Sequence, residues 1–270
     1  MMDAKIAILG AGNMGQAILA GAIRSGVDPQ KITATTQDEA AKKLLTTKYQ
    51  VGIGESNAAA ITGADLVIVA VKPYQVKEVL SEISAALNPE TVVLSVAVGL
   101  DLDSLAADLP PGQPVIRAMP NTPAMVGQGV TALSPGASIT GPQLELAKGV
   151  LAGSGAVIVV PEKYQPAVGA ISGSGPAYVA YFVDALIEAG VHQGLPRDVA
   201  TALAVQTVEG SAAMLRETGD HPAIAREKVT SPGGTTAAAL AEFDNSGVRA
   251  AIIRAVAAAI ARTKEIQAGG

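Results

Sequence analysis

The chain has 270 residues, of which 49% are hydrophobic and 16% are charged, so it is long enough for one large domain or two ordinary ones. Its net charge of -5 gives no electrostatic reason to expect nucleic-acid binding, and the absence of cysteine excludes disulfides, thiolate catalysis and cysteine metal sites. No apolar run reaches the roughly 18 residues of a membrane helix, and no signal-peptide cleavage site follows the first residues, which predicts a cytoplasmic protein.

The first part of the chain alternates short β-rich segments with amphipathic ones. The predicted strands are residues 6–9, 31–35, 64–71, 91–96, 114–118, 129–133 and 156–160, and the predicted helices among them are 16–25 and 75–87. Residues 64–71 (ADLVIVAV) are continuously apolar, as a parallel strand buried on both faces requires. The alternation implies βαβ crossovers, a mainly parallel sheet and an α/β fold.

Beyond Pro161 the sequence becomes rich in alanine, the residue with the highest helix propensity. The predicted helices there are 176–190, 197–217, 236–243 and 246–266. No convincing β segment occurs among them. We therefore predict a Rossmann-type dinucleotide-binding domain over residues 1–161, followed by an all-helical C-terminal domain over residues 162–270.

A glycine-rich loop follows the first predicted strand and opens the first predicted helix. Its sequence, GAGNMG at Gly10–Gly15, matches the dinucleotide pattern G-x-G-x-x-G. Gly10 would permit the tight turn, Gly12 the close approach of a pyrophosphate, and Gly15 the packing of helix on strand. The helix N-terminus would then face the phosphates. The alternative is an ordinary glycine-rich turn between a strand and a helix.

The segment about 20 residues beyond this loop bears on which dinucleotide binds, because NAD sites usually carry an acidic residue there. Residues 33–37 read TATTQ, so hydroxyl groups replace the carboxylate, which favours NADPH over NADH. No arginine is present to hold the 2′-phosphate, and Asp38 is adjacent. Thr35 and Thr36 would, in the alternative interpretation, only end a strand.

A second loop, TSPGGTT at residues 230–236, precedes a predicted helix. Its proline and glycines favour a turn, and the unpaired amides of a helix N-terminus can bind a carboxylate. It could equally be a capping loop without a ligand. Residues 172–176 (SGSGP) form a similar turn, for which we favour a structural role. The two histidines, His192 and His221, are far apart and show no ligand spacing, so we expect no metal site and no catalytic histidine.

Six segments together resemble the pyrroline-5-carboxylate reductases. They are GAGNMG at 10–15, AVKP at 70–73, MPNTP at 119–123, SGSGPAY at 172–178, GLPR at 194–197 and VTSPGGTT at 229–236. They occur in the family's order and span nearly the whole chain. The resemblance implies an NAD(P)H-dependent reductase that transfers hydride to the imine carbon of 1-pyrroline-5-carboxylate and produces L-proline, with NADPH preferred and NADH as the alternative.

The resemblance also implies a set of cofactor-binding residues. The pyrophosphate would lie against Leu9, Gly10, Ala11, Gly12, Asn13, Met14 and Gly15. The rest of the cofactor would contact Thr36 and Asn57 at the adenosine ribose, Ala70, Val71, Lys72, Pro73, Val96, Ala97 and Val98 around the nicotinamide side, and Asn121 at the nicotinamide end. Lys72 could instead only cap a strand end.

The substrate site implied by the resemblance is formed by Ser231, Gly233, Gly234, Thr235 and Thr236. Their amides would hold the substrate carboxylate, and Thr236, as the catalytic residue, would hydrogen-bond the ring nitrogen. A protonated imine is already an electrophile, so positioning matters more than a side-chain acid. Some relatives carry an acidic residue where this chain has Gly219, which puts any role for that acid in doubt.

The low charge content suggests that other chains cover part of the surface. The resemblance implies dimers built by intertwined C-terminal helices, with larger rings of dimers as a further expectation.

Three other interpretations of the sequence compete with this one. A β-hydroxyacid dehydrogenase would need a catalytic lysine on a helix of the second domain, yet none occurs between Lys163 and Lys228. An imine reductase for another cyclic imine and a dinucleotide-sensing or scaffold protein are the others.

Overall fold

The computed structural model of the chain describes residues 3–268. Within them the strands are β1 (Ile6–Leu9), β2 (Ile32–Thr35), β3 (Gly52–Ile53), β4 (Leu66–Val69), β5 (Val92–Ser95), β6 (Val115–Met119), β7 (Gly129–Pro135) and β8 (Gly155–Val159). The α-helices are α1 (Asn13–Arg24), α2 (Glu39–Leu44), α3 (Asn57–Ala60), α4 (Val76–Ser84), α5 (Leu102–Ala107), α6 (Gly141–Leu151), α7 (Gln165–Val168), α8 (Gly175–His192), α9 (Arg197–Thr218), α10 (Pro222–Lys228), α11 (Thr235–Asn245) and α12 (Val248–Ala268).

The strands of the described residues form one eight-stranded sheet in the order β3-β2-β1-β4-β5-β6-β7-β8. Neighbouring strands run parallel except β6 and β7, which are antiparallel. The first six positions have the strand order of a Rossmann fold, in which the order reverses between β1 and β4. Dinucleotides bind beyond the carboxyl ends of the strands at such a reversal, so the topology alone indicates where a cofactor site would lie.

The core divides between the two faces of this sheet because successive side chains of a strand point to opposite faces. In β1, Ile6 and Ile8 belong to one buried cluster, whereas Ala7 and Leu9 belong to the other. The first cluster packs under α1 and α6, and the second under α4 and α5. Helices thus cover both faces, as expected for continuously apolar parallel strands.

Each predicted strand has a counterpart in the structure: the strand predicted at 6–9 has the bounds of β1, and the other six are shifted by one or two residues at one end or both. The apolar run 64–71 contributes only Leu66–Val69 to β4, because this is the stretch that pairs with β1 on one side and β5 on the other. The α/β prediction with a Rossmann-type N-terminal part is confirmed. Several short elements were not predicted, among them β3, α2, α3, α5 and α6.

The contacts of the described residues divide the chain into two compact units. The first extends to Ser174 and includes the end of α12 from Ile260, and the second comprises Gly175–Ala259. Residues just beyond Pro161 pack on the sheet: the buried side chain of Gln165 donates to Ala132 O at 3.3 Å and to Ser134 Oγ at 2.9 Å. The boundary predicted near Pro161 therefore lies before the end of the first compact unit at Ser174. The predicted division into two domains stays a prediction.

Helices α8 to α11 and most of α12 make up the second unit, and among the described residues from Gly175 onward no strand occurs. Helices α8 and α9 approach closely where Gly190 faces Ala200, since a Cβ on Gly190 would lie 3.1 Å from the Cβ of Ala200. In residues 3–268, none of the helices has both the length and the apolarity that crossing a membrane would need.

Candidate functional site

The turn after β1 brings the first and third glycines of the GAGNMG loop against other backbone. Gly10 has a φ of +89°, and a Cβ there would lie 2.6 Å from Cγ1 and 2.9 Å from N of Val71. A Cβ on Gly15 would lie 2.5 Å from Gly10 O. These positions therefore require glycine for the tight turn and for the close approach of α1 to β1.

Gly12, the second glycine of the loop, is in a different environment. It is the N-cap of α1, and no described atom lies within 4 Å of the place where its Cβ would stand. Its lack of a side chain also means that, in the described structure, no side chain caps α1. The first amides of α1 have no partner within the helix, and they open onto space that a Cβ would fill, which fits a bound pyrophosphate.

A groove of about 1440 Å³ lies at this turn, in the first compact unit. Its walls come from the segments that follow the six strands β1 to β6. The predicted cofactor residues that line it are Gly10, Gly12, Asn13, Met14, Thr36, Asn57, Ala70, Val71, Lys72, Pro73, Val96, Ala97 and Val98. The structure thus brings together, along one groove, residues that are spread over roughly ninety positions of the sequence. A site long enough for a dinucleotide requires residues from several such segments.

Four predicted cofactor residues do not line the groove. Leu9, Ala11 and Gly15 are buried beneath it. The side chain of Asn121 is also buried, and its Nδ2 donates to Ser172 O at 3.2 Å while its Oδ1 accepts from Val130 N at 2.9 Å. Both ends of this amide are used within the protein, so the geometry places Asn121 as a support of the groove. Its contact with a nicotinamide stays a prediction.

The end of the groove at which the adenosine is predicted to bind is organised by hydrogen bonds around Asn57. The Thr35 hydroxyl donates to Asn57 Oδ1 at 2.7 Å and accepts from Gly10 N at 3.3 Å. On its other side, Asn57 Nδ2 donates to Glu82 Oε2 at 2.7 Å. The orientation of the Asn57 amide is therefore fixed before any ligand binds.

Two further groove residues near Thr36 were not predicted as site residues. Asp38 is the N-cap of α2, and its Oδ1 accepts from the amides of Ala40 and Ala41 at 2.8 and 3.3 Å. Lys42 follows one helical turn later and lines the groove, with its Nζ 2.6 Å from Glu39 Oε1. The i, i+4 spacing of Asp38 and Lys42 could have revealed this lysine, had the short α2 been recognised.

The opposite end of the groove has a largely apolar lining. Val96, Ala97, Val98, Met119, Pro120 and Met125 contribute to it. Lys72 is exposed at the start of the turn Pro73–Gln75, and its backbone amide donates to Gln75 Oε1 at 3.3 Å. An apolar wall of this kind suits the flat nicotinamide ring.

The predicted substrate loop lies in the second compact unit, at the start of α11. Gly233 has a φ of +67°, and Gly234 N donates to Ser231 O at 3.0 Å, which closes the turn. Gly234 is the N-cap of α11, so a side-chain cap is absent from this helix as described, and Thr236 is its second residue. Thr236 is therefore not the N-cap, and the amides of the first turn suit an anion.

Three other residues singled out in the sequence lie at helix ends. His192 is the last residue of α8, and His221 is the N-cap of α10, with its Nδ1 accepting from Ala223 N at 3.2 Å. Gly219 ends α9 with a φ of +66°. The left-handed conformation at Gly219 favours glycine, so this residue serves the helix end.

Two family models match the chain. One, described as pyrroline-5-carboxylate reductase dimerisation, matches residues 162–266, and the other, described as NADP oxidoreductase coenzyme F420-dependent, matches residues 5–99. The pyrroline-5-carboxylate reductase of Corynebacterium melassecola is 41% identical to the chain over 264 residues, which cover 97% of this chain and 98% of that protein.

Solved structures agree with the sequence relatives. A pyrroline-5-carboxylate reductase from Coxiella burnetii is 36% identical, with a TM-score of 0.94, over 98% of this chain and 99% of that one. The pyrroline carboxylate reductase of Plasmodium falciparum, solved with NADP bound, is 26% identical, with a TM-score of 0.87, over 99% of both chains. The conclusion from sequence, fold and glycine-loop geometry is that this chain belongs to the pyrroline-5-carboxylate reductase family.

Proposed function

We propose that this chain reduces 1-pyrroline-5-carboxylate to L-proline with NADPH as the hydride donor. The observation that carries the proposal is the dinucleotide groove at the uncapped N-terminus of α1, in a chain that is 41% identical to a pyrroline-5-carboxylate reductase over nearly its whole length. The uncapped N-terminus of α11 supports it further, since it offers a second anion site for the substrate carboxylate.

The residues of the groove have distinct roles in this proposal. The first amides of α1 bind the pyrophosphate, Asn57 binds the adenosine ribose, and Val96, Ala97 and Val98 surround the nicotinamide. When bound, the reduced nicotinamide supplies a hydride. The apolar lining at that end keeps water away from the reacting atoms, and the rigid strand ends hold the position of the ring.

The preference for NADPH is supported by the charges at the adenosine end. The carboxylate of Asp38 accepts two amides at the start of α2, which leaves it less available to accept from the ribose hydroxyls that an acidic residue binds in NAD sites. Thr36 offers a hydroxyl, and Lys42 offers a positive charge on the same wall. A lysine in this position can hold a phosphate as a point charge, so it takes the role of the arginine that the sequence lacks.

Substrate chemistry assigns the second loop its role. The amides at the start of α11, with Ser231, Gly233 and Gly234, hold the carboxylate, and the Thr236 hydroxyl hydrogen-bonds the ring nitrogen. Hydride adds to the carbon of the protonated imine, the C=N π electrons become the nitrogen lone pair, and the resulting amine takes one proton from solvent. A threonine hydroxyl is a weak acid, so Thr236 orients the ring rather than supplying this proton.

Oxidation of NADPH by the purified chain tests the proposal. With 1-pyrroline-5-carboxylate we expect substrate-dependent loss of NADPH absorbance and the appearance of one equivalent of L-proline. β-Hydroxyacids assayed with NADP, and other cyclic imines assayed with NADPH, are the comparison substrates. Turnover of another cyclic imine alone would replace the substrate assignment, and the absence of any NADPH oxidation or NADP reduction would refute the proposal.

The surface of the second compact unit supports assembly into a homodimer. Among the 18 described residues of α8 none is buried, although the helix is strongly apolar, and Tyr181 is 82% exposed. Ile252 and Ile253 of α12 are 60% and 65% exposed. Exposed apolar surface of this extent is typical of obligate interfaces. We therefore infer a homodimer built through this unit; its grouping into larger rings stays a prediction.

A further inference from the structure

Glu82 of α4 lines the cofactor groove and holds Asn57 by two hydrogen bonds. Its Oε1 accepts from Asn57 N at 3.1 Å, and its Oε2 accepts from Asn57 Nδ2 at 2.7 Å. An ionised carboxylate can only accept hydrogen bonds. Glu82 therefore requires the NH₂ group of Asn57 on its side, and the amide oxygen is turned toward Thr35.

The orientation of Asn57 determines the orientation of the next hydrogen bonds. Because Asn57 Oδ1 only accepts, the single hydroxyl hydrogen of Thr35 is donated to it, at 2.7 Å. A lone pair of the same hydroxyl then accepts from Gly10 N at 3.3 Å, and the same N–H also donates to Thr35 O at 3.1 Å. Gly10, Thr35, Asn57 and Glu82 form one directed chain, which we call the Glu82 relay, from the glycine turn to α4.

We propose that Glu82 is a positioning residue that determines which way the Asn57 amide faces the cofactor. This inference rests on the proposed use of NADPH but on no particular substrate. With the relay in place, Asn57 retains one N–H and one oxygen lone pair for ligands, in a fixed arrangement. In NADPH the 2′-hydroxyl of the adenosine ribose is phosphorylated, so the partner that this arrangement fits is the free 3′-hydroxyl, which can donate to the amide oxygen and accept from the N–H.

The competing explanation is that Glu82 only stabilises the start of α3. However, Ser56 already caps this short helix, because its Oγ accepts from Ala59 N at 3.1 Å. Both hydrogen bonds between Glu82 and Asn57 are also exposed, so replacement of Glu82 leaves no buried group unsatisfied. The bond between Oε2 and Asn57 Nδ2 is the part that capping does not explain.

Glu82→Gln separates the two roles because it preserves size while changing one acceptor into a donor. The remaining side-chain oxygen can still accept from Asn57 N, but the new NH₂ group would then face the NH₂ group of Asn57. The Asn57 amide must turn over or lose this partner, and the direction of the relay is lost. Glu78→Gln is the matched control, since Glu78 lies one turn earlier on α4, is exposed, and is outside the set of groove residues.

Calorimetric titration of the full chain with three probes tests the proposal: NADPH, adenosine 2′,5′-bisphosphate and reduced nicotinamide mononucleotide. We expect Glu82→Gln to weaken the first two about tenfold, equivalent to roughly 1.4 kcal/mol, and to leave the mononucleotide unchanged. In an Asn57→Ala background the same substitution should have no further effect, because the relay is already broken. The melting temperature should stay close to that of the wild-type protein.

Three outcomes would overturn the inference: unchanged NADPH affinity in Glu82→Gln, an equal loss in Glu78→Gln, or an undiminished loss in the Asn57→Ala background. These titrations do not involve the imine substrate. If the reductase assay fails while the titrations give the expected results, only the proposed reaction is refuted. If the assay succeeds while the titrations do not give the expected results, only the role of Glu82 is refuted.

Discussion

Gly10 lies so close to Val71 that a Cβ on Gly10 would stand 2.6 Å from the Val71 Cγ1. Gly10 follows β1 and Val71 follows β4, the two strands between which the order of the sheet reverses. The cofactor groove therefore begins at a point where two chain segments approach more closely than a side chain on Gly10 would allow. Gly12, two residues later, faces open space. This contrast gives the first prediction.

Gly10→Ala and Gly12→Ala should differ in what they damage. Gly10→Ala places a side chain at a φ of +89° and against Val71. We therefore expect the melting temperature to fall by several °C and cofactor binding to be lost. Gly12→Ala meets no described protein atom and should melt like the wild-type protein, yet its methyl group projects into the groove and should weaken NADPH binding about tenfold or more. Calorimetric titration and thermal melting measure both effects; equal NADPH affinity in Gly12→Ala and wild type would contradict the assignment of the loop.

Lys42→Met should weaken NADPH binding while leaving NADH binding unchanged, since only NADPH carries the 2′-phosphate. Two unit charges about 4 Å apart interact by roughly 1 kcal/mol in bulk water and more near a protein surface, so we expect a rise in the KM for NADPH of about fivefold or more. Lys43→Met is the control, because Lys43 lies on the same helix but outside the groove residues. The effect should shrink as salt is added.

Thr36→Asp should shift the kcat/KM ratio toward NADH, because a carboxylate beside the 2′-phosphate repels it and can bind a ribose hydroxyl instead. The measurement is kcat/KM for both dinucleotides in wild type and variant. A wild-type enzyme that prefers NADH would show that the hydroxyls at the end of β2 and the charge of Lys42 have been misinterpreted.

Thr236→Val tests the substrate site, since it preserves shape and removes the hydroxyl. A role at the ring nitrogen predicts a loss of roughly tenfold or more in kcat/KM for 1-pyrroline-5-carboxylate, or about 1.4 kcal/mol. NADPH affinity and melting temperature should change little because Gly234, not Thr236, is the N-cap of α11. Full activity in a Thr236→Val protein that melts earlier would assign Thr236 to the fold.

Ile253→Asp should disrupt assembly, because Ile253 is 65% exposed on α12, where the proposed interface lies. Light scattering of the wild-type chain should give at least twice the 27.0 kDa of one chain at micromolar concentration. The variant should shift toward the single chain or aggregate, because a carboxylate is costly to bury in an apolar interface. A wild-type mass of one chain would refute the dimer.

Asp101 should make folding stability depend on acid pH. Its carboxylate caps α5 by accepting from Ser104 N at 2.9 Å, and hydrogen bonding from Ser104 lowers the pKa of Asp101, with a smaller contribution from the charge of Arg117. A lowered pKa in the folded state adds stability above the unfolded pKa, and this is lost as the pH falls through the folded value. Asp101→Ala should therefore cost about 1 kcal/mol near neutral pH and progressively less below about pH 4.

Urea denaturation of wild type and Asp101→Ala across this pH range gives the comparison. Asp103→Ala is the control, because Asp103 lies in the first turn of the same helix without being its N-cap. A difference between wild type and Asp101→Ala that does not change with pH would show that the carboxylate charge is not what stabilises the cap.

The sequence by itself determined the plan of the fold and the glycine turn, because these depend on local patterns: continuous apolar runs and the spacing of glycines. It located the turn before α11 but left open whether a side chain caps that helix; the structure has Gly234 at the N-cap. It did not reveal α2, which has only six residues. The sequence therefore did not indicate that Asp38 caps a helix or that Lys42 lines the groove. Nor did it show that the Asn121 amide is used within the protein.

Only the tertiary structure decided which polar groups face one another. Glu82 and Asn57 are 25 residues apart and belong to different helices, so no periodicity connects them. Their contact exists because α3 and α4 pack on the same face of the sheet, and the direction of the relay follows from the acceptor-only carboxylate at its end. The hydrophobic pattern follows from the order of residues in the chain, whereas the pairing of hydrogen-bond donors and acceptors depends on the distances that packing creates.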